Sequence, residues 1–88
     1  MSGFERPIRL SAHARLQAER RGATAAEIER AIREAPWVET ARGRRECRLD
    51  LDFGDLWNGV HYGTKRVRPI FAEEIDEIVV VTVYVYYF

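Results

Sequence analysis

One histidine near the start, two alternating arginines, and hydroxyls at every second position near the end are the residues best placed to do chemistry: His13, Arg66 and Arg68, and Thr82, Tyr84 and Tyr86. Cutting RNA without a metal needs a base for the 2′-hydroxyl proton and an acid for the departing 5′-oxygen, and an imidazole can serve as either. Two guanidiniums on one strand face can grip a phosphate and stabilise charge building on it. Phenols on an open sheet face can stack bases and orient a phosphate. On this reading His13, Arg66 and Tyr84 are the catalytic group, and Arg20, Lys65, Arg68, Thr82 and Tyr86 hold the substrate. Arg20 lies two turns along the helix from His13, on the same side, and Lys65 takes the strand face opposite Arg66 and Arg68.

Each of these residues has a plainer explanation. His13 can simply hydrogen-bond the sheet backbone and hold helix to strand. Arg66 and Arg68 can pair across the sheet with Asp50 and Asp52. The tyrosine face can form a second small core or a subunit interface. His61 and Tyr62 follow a Trp-Asn-Gly turn, where a histidine is most often a surface residue, and Trp57 can lid a cleft. Asp50 and Asp52 can bind Mg²⁺ as a pair, but the sequence supplies no third ligand, so neither a metal nor a cofactor is expected. Cys47 falls on an apolar strand face and reads as inert core.

The elements that must position these groups begin with a lead-in, residues 1–9, read as an arm or short edge strand. Ser11 is a good N-cap and Gly22 a natural stop, which predicts a helix over 12–21. Its apolar row, Leu10, Ala14 and Ala18, is thin. "TAAE" at 24–27 is a capping box, and Ile28, Ala31, Ile32 and Ala35 make one apolar face, which predicts a second helix over 25–35 ended by Pro36. The remainder reads as β. "WVETA" is a first strand and "RGRR" a turn. "ECRLDLDF" alternates, with Cys47, Leu49, Leu51 and Phe53 inward. "GDLWNG" is a loop or tight turn. "VHYGTKRVRPIFAEE" is a strand interrupted near Gly63, with Pro69 marking an edge or bulge. The last strand, 77–87, is apolar on both sides and reads as central. Val79, Val81, Val83, Val85 and Tyr87 should meet the helices, and Val80, Thr82, Tyr84, Tyr86 and Phe88 should face away. The fold class is therefore α+β: two N-terminal helices on one face of a twisted, about four-stranded antiparallel sheet.

At 88 residues the chain reads as a single domain able to bury one core. One cysteine excludes an internal disulfide, no apolar run reaches the ~20 residues of a membrane helix, and the start lacks a signal-peptide core, so a cytoplasmic protein away from membranes is expected. Net charge is zero, but residues 1–48 hold 11 Arg against 7 Asp/Glu (+4) while 49–88 hold 2 Arg and 1 Lys against 7 Asp/Glu (−4). That asymmetry keeps an anionic partner in play despite the neutral total.

"SAHARLQAERRG" at 11–22, "KRVRPIFAEE" at 65–74 and "IVVVTVYVYYF" at 78–88 occur in the order and spacing of a short bacterial and archaeal domain with a Ser/Thr-x-His-Ala helix, a downstream Arg-Gly and a closing Thr-Val-Tyr strand. The chain thereby resembles the RelE/BrnT-like superfamily of small prokaryotic toxins, whose fold is also seen in barnase-like and colicin-type ribonucleases. The resemblance implies a RelE-like fold and a toxin-like, metal-independent endoribonuclease of a toxin–antitoxin system. Single-stranded RNA would be its substrate and an antitoxin protein its partner. The last strand departs from that family in carrying no arginine, and no facing glutamate–histidine pair of the barnase type can be assigned. The alternative is a non-catalytic module that binds a protein or RNA through its tyrosine face, or pairs with itself as a homodimer.

Overall fold

The structure, a computed structural model, describes residues 6–88. The first five residues of the expected lead-in arm lie outside the described residues, and the rest of it forms a short edge strand, β1 (Ile8–Leu10). Two helices follow, α1 (Ala12–Arg21) and α2 (Ala25–Glu34), then β2 (Val38–Glu39), a single 3₁₀ turn over Ala41–Gly43, β3 (Arg45–Glu46), β4 (Leu49–Trp57), β5 (Val60–Glu73) and β6 (Ile78–Tyr87). Among the described residues no helix is long and apolar enough to cross a membrane.

Both helices start where their caps place them. The Ser11 hydroxyl accepts from the Ala14 amide, and Thr24 and Glu27 form a reciprocal capping box. Each helix buries a narrow stripe: Ala14 and Ala18 on α1, and Ile28, Ala31 and Ile32 on α2. These meet Val67, Phe71, Ile78, Val80 and Val83 of the sheet to form the core. Trp37 closes one end, edge-on to Phe71 at 4.9 Å, with its indole N–H donating to the Ile32 carbonyl at 2.7 Å.

Among the described residues the sheet has six strands rather than about four. Its path runs β1-β6-β5-β3-β2, with β4 also paired to β5, and all pairings are antiparallel except β1 with β6. The central strand is β5. Pro69 therefore sits in mid-sheet, not at an edge, and the ladder records it. Cys47 donates to the Pro69 carbonyl at 3.3 Å, but proline has no N–H to return the bond. The expected continuous strand over 46–53 accordingly breaks into β3 and β4, which keep one register against β5 on either side of the break. Nor is β5 interrupted at Gly63. The irregularity lies opposite, on β4, where a bulge at Phe53–Gly54 accommodates Gly54 at φ 58°. "GDLW" is strand, and only Asn58 and Gly59 turn, both at positive φ as a tight hairpin requires.

A second bulge corrects the facing of the last strand. Phe71 pairs with Val80 and Ile70 with Thr82, so Val81 is an extra residue. Alternation changes phase there. Ile78 and Val80 face the helices before it, and Val83, Val85 and Tyr87 after it. Val79 and Val81 are not on the helix face as the simple alternation predicts, while Thr82, Tyr84 and Tyr86 keep the open face.

Gly22 closes α1 in the left-handed region at φ 82°. A Cβ there would come within 2.6 Å of the Tyr87 hydroxyl and 2.7 Å of the Trp57 ring. Glycine is needed for its backbone conformation and also for the room it leaves. Gly22→Ala is expected to lose about 2 kcal/mol or more in urea unfolding, from left-handed strain and overpacking together. A loss under ~0.5 kcal/mol would show that the Tyr87 and Trp57 rings do not press on this turn.

Candidate functional site

The face of the sheet away from the helices is an ordered grid. Along β6 it presents Thr82, Tyr84, Tyr86 and Phe88, and beside them on β5 stand Ile70, Arg68, Arg66 and Thr64. Beyond β5 come Glu46, Arg48, Asp50 and Asp52, which the shared register of β3 and β4 places opposite those four. Alternation puts the polar half of each strand here because the other half is occupied by the core.

Electrostatics lock the grid. Arg66 grips Asp50 with two bonds at 2.7 and 3.0 Å, and Arg68 grips Glu46 with two at 2.9 Å. The expected pairing with Asp50 is therefore present, but the second partner is Glu46 rather than Asp52. Arg68 also donates to the Tyr86 hydroxyl at 3.2 Å. Held this way, the guanidiniums lie against rings: Arg66 is 5.1 Å from the Phe88 centroid and Arg68 is 5.4 Å from that of Tyr84. Arg21, from the end of α1, approaches Tyr84 at 5.0 Å and donates to the Val83 carbonyl at 2.8 Å. The hydrogen bonds from Arg68 hold the Glu46 carboxyl below its usual range, and those from Arg66 do the same for Asp50.

His13 stands at the rim. Its Nε2 lies 3.2 Å from the Thr82 Oγ1, which ties helix to strand as the plainer reading expects, though through a side chain rather than the sheet backbone. Tyr84, Tyr86, Arg66 and Arg68 share this face with Thr82, but His13 touches only the Thr82 end of the row, and Arg66 stands opposite Tyr86, four residues farther along β6. Arg20 is exposed on α1 and joins none of these contacts. Lys65 is elsewhere: it is buried beneath the helices, donating to the Gly22 carbonyl and to Glu27, and cannot hold a ligand on the open face. Trp57 does not lid this face, because its ring stacks on Tyr87 at 4.7 Å on the helix side. His61 is exposed next to the hairpin turn.

A groove of about 700 Å³ opens on the grid, lined by its Glu46, Arg48, Arg66, Arg68 and Tyr86 together with Pro36, Val38 and Cys47. Burial pushes the Cys47 thiol up to about 12, so it is no nucleophile. Among the described residues no three His, Cys, Asp or Glu side chains converge as a metal site. The alternation of 46–53 already sets Glu46 and Arg48 on the face of Asp50 and Asp52, as observed, but neither was expected to join the site, and Arg21 was missed. Arg21 gave no signal, since its reach depends on how α1 ends against β6. No family model, curated protein or solved structure matches the chain.

The low carboxyl values have a definite sign. Folded Glu46 and Asp50 ionise below their unfolded values, so their contribution to stability is full above the ordinary carboxylate range, near pH ~4, and disappears as pH falls through the folded values. In an NMR titration, Glu46 should therefore ionise below ~4.3, and Arg68→Gln should return its midpoint toward that value. A Glu46 midpoint indifferent to Arg68→Gln would mean that the ion pair does not form in solution.

Proposed function

We propose that the chain binds single-stranded RNA across its open sheet face. One observation carries this reading. Tyr84, Tyr86 and Phe88 project at alternate positions along one strand, all exposed, and β5 and α1 set guanidiniums against the Tyr84 and Phe88 rings and a guanidinium N–H on the Tyr86 hydroxyl. Rings at a two-residue repeat offer stacking platforms to successive unpaired bases, and the arginine N–H groups beside them can meet the backbone. The charge excess on this face is small: Arg21, Arg48, Arg66 and Arg68 against Glu46, Asp50 and Asp52. Affinity should therefore rest more on stacking than on phosphate neutralisation, and show a shallow salt dependence.

A second reading, toxin-like and metal-independent cleavage of that RNA, is favoured by the His13–Thr82 contact at the rim of the same face. His13 would be the acid or base, Arg66 and Arg68 the phosphate ligands, and Tyr84 a positioning group.

Anisotropy titrations test the first reading, and a cleavage assay separates it from the second. A short unstructured RNA should bind, a duplex of equal length should bind more weakly, and Tyr86→Ala or Phe88→Ala should each weaken binding about tenfold. No binding at low salt, or variants indistinguishable from wild type, would overturn the proposal. Cleavage in EDTA that His13→Ala abolishes while leaving binding intact would establish the second reading. Intact RNA with wild-type protein, with no growth arrest on expression, would leave recognition alone.

A further inference from the structure

The outer edge of β6 changes character along its length. At Ile78–Val80 it is covered by β1, running parallel. At Ser11 the chain leaves the sheet for α1, and nothing in the described residues continues the β1 row beside the rest of β6. The ladder to β5 fixes which backbone groups this leaves outward. Thr64 and Phe88 exchange both of their hydrogen bonds, at 2.8 and 3.0 Å, which makes Arg66–Tyr86 and Arg68–Tyr84 the next bonded pairs. Val83, Val85 and Tyr87 then point their amides and carbonyls away from β5. The Val83 carbonyl is met by Arg21, whereas both groups of Val85 and Tyr87 are without a protein partner among the described residues.

Edges left like this are usually guarded by a charge or proline on the strand itself. Residues 82–88 contain neither. The charge sits instead on α1 alongside: Arg20, exposed, and Arg21. Two copies meeting edge to edge about Val85 would bring both arginine pairs together, so the surface discriminates against itself and in favour of an anionic strand.

We infer that the β6 edge at Val85–Tyr87 receives an extended, acidic segment of another protein by strand addition. Its backbone pairs with Val85 and Tyr87, and its carboxylates face Arg20 and Arg21. This site borders the RNA-binding face and shares Arg21 with it, but its backbone pairing does not depend on that reading.

The test uses hydrogen exchange by NMR on the whole chain, with two synthetic peptides of equal length, one alternating Glu and Val, the other Lys and Val. Alone, the protein should exchange its Val85 and Tyr87 amides fast while Tyr84 and Tyr86 are protected. The Glu–Val peptide should protect Val85 and Tyr87, and the Lys–Val peptide should not. Arg20→Glu should weaken the Glu–Val peptide at least about fivefold. Val85→Pro should abolish its binding and still fold, because that N–H takes no part in the ladder to β5. Val85 and Tyr87 already protected in the free protein would overturn the proposal, whether from a second copy or an internal contact. So would equal binding of both peptides, or the absence of any Glu–Val effect.

Discussion

The chain has one lysine, and it is buried. Lys65 rises from the centre of β5 into the layer between sheet and helices. An ammonium carries three donors and a strong hydration shell, so it survives there only if the protein replaces that shell. Three things do so: the Gly22 carbonyl at the end of α1, the Glu27 carboxylate in the first turn of α2 at 2.8 Å, and the face of Phe53 at 5.9 Å. Burial pushes the Glu27 carboxyl up, but the bond from Lys65 and that from the Thr24 amide outweigh it and hold the group below its usual range. The same carboxylate oxygen therefore caps α2 and anchors the lysine. One cation ties the end of one helix and the start of the next to the middle of the sheet.

The open face depends on that tie. Tyr87 fastens the same turn from β6, its hydroxyl donating to the Arg21 carbonyl at 2.7 Å. With its backbone fixed, the Arg21 side chain passes the edge of β6, satisfies Val83 and lies against Tyr84. Thus residues that never reach the open face decide where one of its guanidiniums stands. Two more are set by carboxylates, Arg66 by Asp50 and Arg68 by Glu46. Pairing costs the face net charge but fixes its donors and rings in place, which lowers the ordering cost of binding.

Legibility followed the strength of local rules. The capping box at Thr24–Glu27, the glycine stop at Gly22 and the alternation in 49–53 each state their geometry in a few neighbouring residues, and the structure follows them. The open-face positions of Thr82, Tyr84, Tyr86, Arg66 and Arg68 were legible for the same reason. What failed was non-local. The bulge at Val81 has no cue within a run of valines, because any of them can be the unpaired residue. Pro69 reads as an edge signal, yet a central strand tolerates it where only one ladder bond is lost. Lys65 sat correctly on the face opposite Arg66, but nothing in the strand says that this face is the buried one. That follows only once Gly22 and Glu27 are seen above it.

Lys65 and Glu27 act as one unit in docking the helical turn. A double-mutant cycle in urea unfolding, with Lys65→Met, Glu27→Ala and the pair, measures this directly, since the capping contribution of Glu27 cancels in the cycle. A favourable coupling of about 1 kcal/mol or more is expected. Coupling below ~0.3 kcal/mol, within ordinary additivity, would mean that the turn docks without the lysine and that the order proposed for the open face begins elsewhere.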